Sequence, residues 1–458
     1  MRAAGMARAP FLLLLALLLI IAACVTRRVP SDDKPLIIVG SAPVRADTAK
    51  SEPPADIPRD EAPRQRTEGL RDVRVALATA AQGVELGAAG PWRLFDARNS
   101  VLVKARATDH WTVERRGRLL RAVSGGAPTP WSDGLLTVRA EFDNAPPLFS
   151  GKRYRGAIRI IATDTGLVIV NVLPVEQYLR GVVPLEIGGP RAGNEQAAVE
   201  AQAIAARSYT FVRLAAVEGS SSRNASFDVL SSVTDQVYGG MDAERPFSDQ
   251  AVAATAGQVV KYNGRVVNAP YSSTCGGETA APDEVWRSGN EPYLRHISDK
   301  IPGSDRAYCD IAPRFAWTKS FSGDELDGAL RSYLKNFVAV PSGGPGRAQR
   351  VVVESRTPSG RVGRLTISTD RGSYSLRGND IRYVLRSAGG EILNSTYFSV
   401  EPESRRDGGI ARLVLRGKGY GHGIGMCQWG AIGRARAGQS ARMILATYYP
   451  GTTIGTVN

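Results

Sequence analysis

The balance of hydrophobic and polar positions changes several times along the chain. Phe11 to Ile21 is an unbroken apolar run, preceded by Arg2 and Arg8. Residues 25–72 then hold seven prolines (Pro30, Pro35, Pro43, Pro53, Pro54, Pro58, Pro63) among charges of both signs, with little that could build a core apart from Leu36-Ile37-Ile38-Val39. From Val73 the pattern turns to period two. Val73-Arg74-Val75-Ala76-Leu77, Leu136-Thr137-Val138-Arg139-Ala140 and Ala157-Ile158-Arg159-Ile160 alternate as half-buried strands do. The last of these is predicted to pair with Leu167-Val168-Ile169-Val170 across a turn at Asp164-Thr165-Gly166. Residues 73–173 thus read as a β-rich N-terminal part.

At Pro174 the character shifts. Val175-Glu176-Gln177-Tyr178-Leu179 predicts a short helix with Pro at its first position, where a missing N–H costs nothing. A Gly/Pro-rich break follows Val183-Pro184-Leu185-Glu186, and then a long Ala-rich helix is predicted from about Glu195 to Leu214. Ala198, Ala201, Gln202, Ala205 and Tyr209 share one of its faces, so another element can come close. A further helix is predicted over Asp249–Ala256. Asn263-Gly264 between Val259–Tyr262 and Arg265–Val267 is a hairpin signal, because both turn positions need positive φ. Val340 to Arg347 reads as a surface loop, an insertion near 338–348, before Val351–Val353 and Leu365–Ile367 resume strand patterning. Strands and helices mix without a βαβ rhythm, which predicts an α+β fold, with residues 174–458 as a mixed core.

The first apolar run is too short for a comfortable membrane span. With its basic flank it reads as an export signal, and Ile21-Ala22-Ala23-Cys24 resembles the bacterial lipobox, in which the Cys is lipidated. Residues 1–24 are therefore taken as a lipoprotein signal peptide with Cys24 as the lipidation site. Residues 25–72 become a Pro-rich tether able to reach about 150 Å when fully extended. The body is then expected outside the cytoplasm, lipid-anchored in the cell envelope and facing the periplasm.

Composition narrows the partner. The chain has 458 residues, 43% of them hydrophobic, and a formal charge of +14 from 58 Lys and Arg against 44 Asp and Glu. That favours an anionic partner, and an exported protein does not meet genomic DNA, so no nucleic acid is expected. Four cysteines and three histidines (His110, His296, His422) exclude a zinc ribbon and a multi-histidine metal site.

Three stretches carry candidate chemistry. Val182-Val183-Pro184-Leu185-Glu186-Ile187-Gly188 sets an acid among apolar neighbours, where desolvation would raise its pKa towards that of a general acid; the plain alternative is a solvated loop carboxylate. Tyr271-Ser272-Ser273-Thr274-Cys275-Gly276-Gly277-Glu278-Thr279 is a loop dense in hydroxyls, or simply a turn. Gly417 to Ala431 has glycine at every second position through Gly425, giving an extended segment one bare face for another backbone or a flat ligand. It fits neither a dinucleotide loop nor a P-loop, and His422 with Cys427 lacks the surroundings of a thiol protease.

Taken together, these motifs resemble the stage II sporulation protein D (SpoIID/LytB) family. The resemblance rests on Asn171 to Glu186, on Ala201-Gln202-Ala203-Ile204-Ala205-Ala206-Arg207-Ser208-Tyr209, and on Asp235-Gln236-Val237-Tyr238. It continues through Ser273 to Gly277 with Thr279, Val285-Trp286, Pro292-Tyr293-Leu294, Ser359-Gly360-Arg361 and Gly419 to Ala431, in the family's order. Two departures stand out: Gly189-Pro190-Arg191-Ala192-Gly193 replaces the family's Trp before the long helix, and Ala197 stands where the family has a Glu.

The resemblance implies a peptidoglycan lytic transglycosylase, with the acid of the V-V-P-x-E motif, Glu186, as catalytic residue. It also implies an alternative, since the family includes proteins described as amidase enhancers: a non-catalytic glycan-binding protein with a cell-wall amidase as partner. Glycosidic hydrolysis normally uses two carboxylates. A lytic transglycosylase instead lets the C6 hydroxyl of N-acetylmuramic acid close on its own anomeric carbon, so one carboxyl can donate a proton and later accept one. The expected partner is therefore the peptidoglycan glycan strand, with or without its stem peptides. Gln202, Arg207, Tyr209, Ser273, Thr274, His422 and Gln428 are the expected substrate-binding groups; Arg207 has a plain alternative as an anchor of the helix, and Tyr209 as core. Some family members bind zinc near the hydroxyl loop, and Cys275, Cys309 and Cys427 with His422 offer suitable ligand types. An oxidising compartment favours instead a Cys275–Cys309 disulfide with Cys427 free, and the expectation adopted is no metal and no cofactor.

Overall fold

The computed structural model describes residues 71–219 and 226–457. The expected signal peptide with Cys24, and almost all of the expected tether, fall outside the described residues.

The period-two segments form the strands that the pattern predicts. Ala157–Thr163 and Gly166–Pro174 pair antiparallel across a tight turn, with Thr163 opposite Gly166. They lie in a seven-stranded sheet ordered Val229–Leu230, Asp72–Ala81, Gly166–Pro174, Ala157–Thr163, Leu135–Ala140, Trp92–Phe95, Val101–Ala105. A second sheet around Trp111–Arg116 and Leu119–Ser124 completes the β-rich part. The boundary expected at residue 173/174 does not divide the core. One hydrophobic cluster runs from Val73 and Trp92 through Leu173, Val175 and Leu179 to Tyr448 and Tyr449.

Helix α1 (Val175–Ile187) follows the sheet directly. It is longer than the five residues expected, and it continues through Pro184. Val175, Tyr178, Leu179, Val182, Val183 and Ile187 recur at three- and four-residue spacings and are all buried. That stripe makes helix favourable despite the hydrogen bond Pro184 removes. Glu186 belongs to the same stripe, four residues after Val182 and three after Val183. It therefore sits in the last helical turn, not in a loop, and is turned inward. Gly188, at φ 73°, ends the helix.

Helix α2 (Gln196–Gly219) is buried on most of its circumference through its first half, from Ala198 to Ser208. Its alanines let α1, α3 (Pro246–Ala254) and the C-terminal helices approach. The Asn263-Gly264 hairpin forms as predicted, with φ 49° and 78°.

A second cluster is built by Ala316–Ser322, α4 (Gly323–Tyr333), three strands between Ala348 and Arg377, α5 (Asn379–Val384), Phe398–Ser404 and Ile410–Lys418. Residues 340–347 form a largely exposed loop at its edge. The chain then returns to the first core as Met426–Cys427, α6 (Gln428–Arg436) and α7 (Ala441–Tyr448). The architecture is α+β.

Candidate active site

Glu186 is half-buried among apolar residues of α1. Its Oε1 accepts the backbone N–H of Val237 at 2.8 Å. Burial drives its pKa up to about 7, against two opposing hydrogen bonds to the carboxylate, from Val237 N–H and from the Gln428 side chain. The group is thus divided between acid and carboxylate at neutral pH, the condition for donating and later taking back a proton.

The loop Asp235-Gln236-Val237-Tyr238 comes this close because α1 presents Gly181 to it. A Cβ on Gly181 would collide with the Tyr238 ring. Gln236 is fully buried and ties the floor together: Tyr178 and Thr210 hydroxyls donate to its Oε1 at 3.2 and 2.9 Å, and its Nε2 donates to the Tyr271 hydroxyl at 2.9 Å. Burial raises the pKa values of Tyr178, Tyr209 and Tyr271, and the Glu186 charge adds to each, so all three face it as neutral phenols. Asp235 is committed elsewhere. Its oxygens accept from Tyr209 Oη and Leu230 N–H, and Oδ1 forms an ion pair with the Arg213 guanidinium.

Of the residues expected to bind substrate, Gln202, Tyr209 and Gln428 gather with Glu186. The Gln428 Nε2 donates to Gln202 Oε1 at 3.2 Å, and Gln202 Nε2 is buried without a partner among the described residues. Of the other four, the side chains of Arg207 and His422 have structural duties, and Ser273 and Thr274 are held through their backbone. Arg207 is fully buried, with Nε and Nη2 on the two oxygens of Glu176 at 2.7 and 2.8 Å and further bonds to the Val252 and Gln258 carbonyls. It fastens α2 to α1 and has no donor left for glycan. His422 bridges Tyr271 O at 3.0 Å and Ile424 N–H at 3.0 Å, with Trp286 beside its ring. Burial, with Arg382 nearby, lowers its pKa to about 3, so it is neutral. Ser273 accepts the Trp429 N–H through its carbonyl, and Thr274 exchanges backbone hydrogen bonds with Tyr420.

The Gly-rich segment is not extended. Gly419, Gly421, Gly423 and Gly425 all have positive φ, and past the strand that ends at Lys418 only Met426–Cys427 pairs as a strand, parallel to Tyr271–Ser272. The bare face meets protein backbone: a Cβ on Gly425 would fall on the Pro270 carbonyl oxygen. The glycines therefore lock the hydroxyl loop to α6, which puts Gln428 in reach of Glu186.

Sequence reasoning gave no role to Gln236 and the Val237 N–H, although the Asp-Gln-Val-Tyr run was visible. It also missed Arg191. That side chain belongs to the segment in which the family's Trp is absent: it hydrogen-bonds the Ile187 carbonyl at the end of α1 and stacks on Trp429 with 5.1 Å to the ring centroid.

The sulfurs of Cys275 and Cys309 are 3.6 Å apart, and all three described cysteines are free thiols, so the expected disulfide is not formed.

A family model described as stage II sporulation protein matches residues 163–262, which hold α1, the whole of α2 and the Asp235–Tyr238 loop. A second, described only as a domain of unknown function, matches residues 303–425 and so overlaps the second core. Stage II sporulation protein D of Bacillus subtilis is 30% identical over 296 residues, covering 62% of this chain and 75% of that protein. An uncharacterised protein of Brachyspira hyodysenteriae is 30% identical over 309 residues, covering 68% of this chain and 74% of that one. The amidase enhancer of Bacillus subtilis is 31% identical over 313 residues, or 60% of this chain, but the match spans only 40% of that longer protein.

Proposed function

The chain belongs to the stage II sporulation protein D family, and from that premise we propose that it cleaves peptidoglycan glycan strands as a lytic transglycosylase, with Glu186 as acid and then base. The observation that carries this reading is the Glu186 carboxyl itself: inward-facing, desolvated, with a pKa of about 7 and two donors on its oxygens. Protonated Glu186 gives its proton to the oxygen bridging N-acetylmuramic acid and N-acetylglucosamine, and that bond breaks. The C6 hydroxyl of the same muramic residue then closes on the anomeric carbon. The Glu186 carboxylate, held by Val237 N–H and Gln428, takes the hydroxyl proton and is ready for another turn. The intramolecular attack profits from its high effective concentration. Since Asp235 is tied to Arg213 and Tyr209, a one-carboxyl mechanism suits the site better than two-carboxyl hydrolysis.

Export and lipid anchoring through Cys24, with residues 25–72 as spacer, fit a polymer lying away from the bilayer, and the net charge of +14 fits an anionic wall. The name of one relative, amidase enhancer, favours a second reading: a protein that binds glycan and stimulates a cell-wall amidase without turnover. Incubation with intact peptidoglycan and with glycan stripped of stem peptides separates the two. Fragments with 1,6-anhydro ends support the enzyme; binding without cleavage, alike in wild type and Glu186→Gln, supports the alternative.

A further inference from the structure

A groove of about 730 Å³ opens on the second core, away from every residue given a part in the proposed reaction. All of its lining lies between Ala316 and Lys418, inside the stretch matched by the domain of unknown function. We propose that this groove is a second, non-catalytic binding site for the glycan strand, which it grips by the flat face of a sugar ring and by a lactyl carboxylate of N-acetylmuramic acid.

The floor is aromatic. Trp317, Gly417 and Phe398 stand opposite one another across the strands Ala316–Ser322, Ile410–Lys418 and Phe398–Ser404. The bare Gly417 lets the indole lie against the middle strand, since a Cβ there would come within 2.3 Å of the ring. Buried Phe398 backs the indole, with 6.1 Å between ring centroids. Trp317 itself is only half-buried and lines the groove, as does Tyr397. An aromatic ring braced from behind offers the C–H face of a pyranose an apolar surface at little cost in side-chain freedom.

The rim is cationic. Arg416 is paired with Glu401 at 3.0 Å, but Arg356 and Lys418 are exposed and form no ion pair among the described residues. Arg356 Nη1 and Nη2 donate to the carbonyls of Gly360 and Phe398 at 2.8 and 3.0 Å. Those bonds orient the guanidinium without neutralising it and leave N–H donors over. A neutral sugar would not use the charges, and a small inorganic anion would not use the indole. A saccharide carrying a carboxylate uses both.

Continuity with the candidate active site favours the glycan strand as that saccharide. Lys418 runs directly into the Gly-rich segment, where Tyr420 exchanges backbone hydrogen bonds with Thr274 of the hydroxyl loop. The same chemistry is repeated on the way. Lys418 Nζ lies 5.9 Å from the centre of the Phe315 ring, and the Arg314 guanidinium lies 4.6 Å from that of Tyr420. One long polymer of alternating sugar faces and carboxylates matches this run of rings and cations. The proposal rests on the glycan-binding half of the functional reading, not on turnover.

The test uses the full chain carrying Glu186→Gln, so that bound strands stay whole. Its Kd is measured on insoluble glycan freed of stem peptides by an amidase, and on the same glycan with its carboxyls methylated. Adding Arg356→Glu and Lys418→Glu together should raise the Kd for free-carboxylate glycan about tenfold or more, and should flatten its dependence on salt. Methylation should weaken the parent to a similar degree and leave the charge-reversed protein nearly unchanged. Trp317→Ala should weaken binding to both forms of glycan alike. Should that variant fail to fold, the two exposed charges still decide. An unchanged Kd after charge reversal, an equal effect of methylation on both proteins, or tighter hold on a single-stranded oligonucleotide than on glycan overturns the proposal. Turnover by the wild-type chain is scored separately: absence of 1,6-anhydro ends would sink the transglycosylase reading and leave these binding constants standing.

Discussion

Gln428 Nε2 reaches Gln202 Oε1 at 3.2 Å across 226 residues of chain. The contact orients the Gln428 amide, whose other N–H is free to serve the Glu186 carboxylate. The start of α6 and the first half of α2 thus meet beside Glu186.

Replacing Glu186 by Gln removes the transferable proton and keeps the shape. Turnover on glycan should fall by about 10²–10⁴-fold or more, with glycan binding retained. Product release followed by mass spectrometry, beside a pull-down on insoluble glycan, reads both.

The rate should depend on pH with a definite sign. The proton donor must be protonated in the free enzyme, so kcat/KM should hold steady below neutrality and decline as pH rises through about 7. A profile that instead rises through this range would mean Glu186 starts the reaction as a base.

The same shift acts on stability. A pKa raised from 4.5 to about 7 means the folded state holds this proton more tightly than the unfolded chain. That stabilisation is fully present below pH 4.5 and is lost as pH rises through about 7, by at most about 3 kcal/mol. Denaturant titrations should show Glu186→Gln gaining on wild type between pH 5 and pH 8, in proportion to that loss.

Gln428→Leu deletes a donor that favours the ionised form of Glu186. The declining limb of the pH–rate profile should move to higher pH, and kcat should fall more than glycan affinity. A packing role alone would leave the limb in place.

Arg207→Met strands the Glu176 carboxylate and the Val252 and Gln258 carbonyls. Breaking one side of such a pair costs about 3–5 kcal/mol, read as a lower midpoint in urea. If the variant were fully stable yet failed to bind glycan, Arg207 would be a substrate ligand after all.

The legible parts of the sequence were those fixed by local pattern. Alternation marks the Ala157–Pro174 hairpin, and Asn263-Gly264 marks the turn of a separate hairpin between Gln258–Tyr262 and Arg265–Val266. The helix expected over Val175–Leu179 runs on through Pro184 because of the buried stripe from Val175 to Ile187, which only tertiary packing rewards. Arg207 and His422 were read as ligands because charge and ring nitrogens look the same in sequence whether they face a cleft or a buried partner. Glycine alternation in Gly417 to Ala431 foretold close approach but not whose backbone would approach.

Digestion of glycan in water enriched in oxygen-18 bears most directly on the role of Glu186. The account predicts unlabelled 1,6-anhydro products from the wild-type protein and none from Glu186→Gln. Labelled reducing ends, or cleavage that persists in the Gln variant, would contradict it.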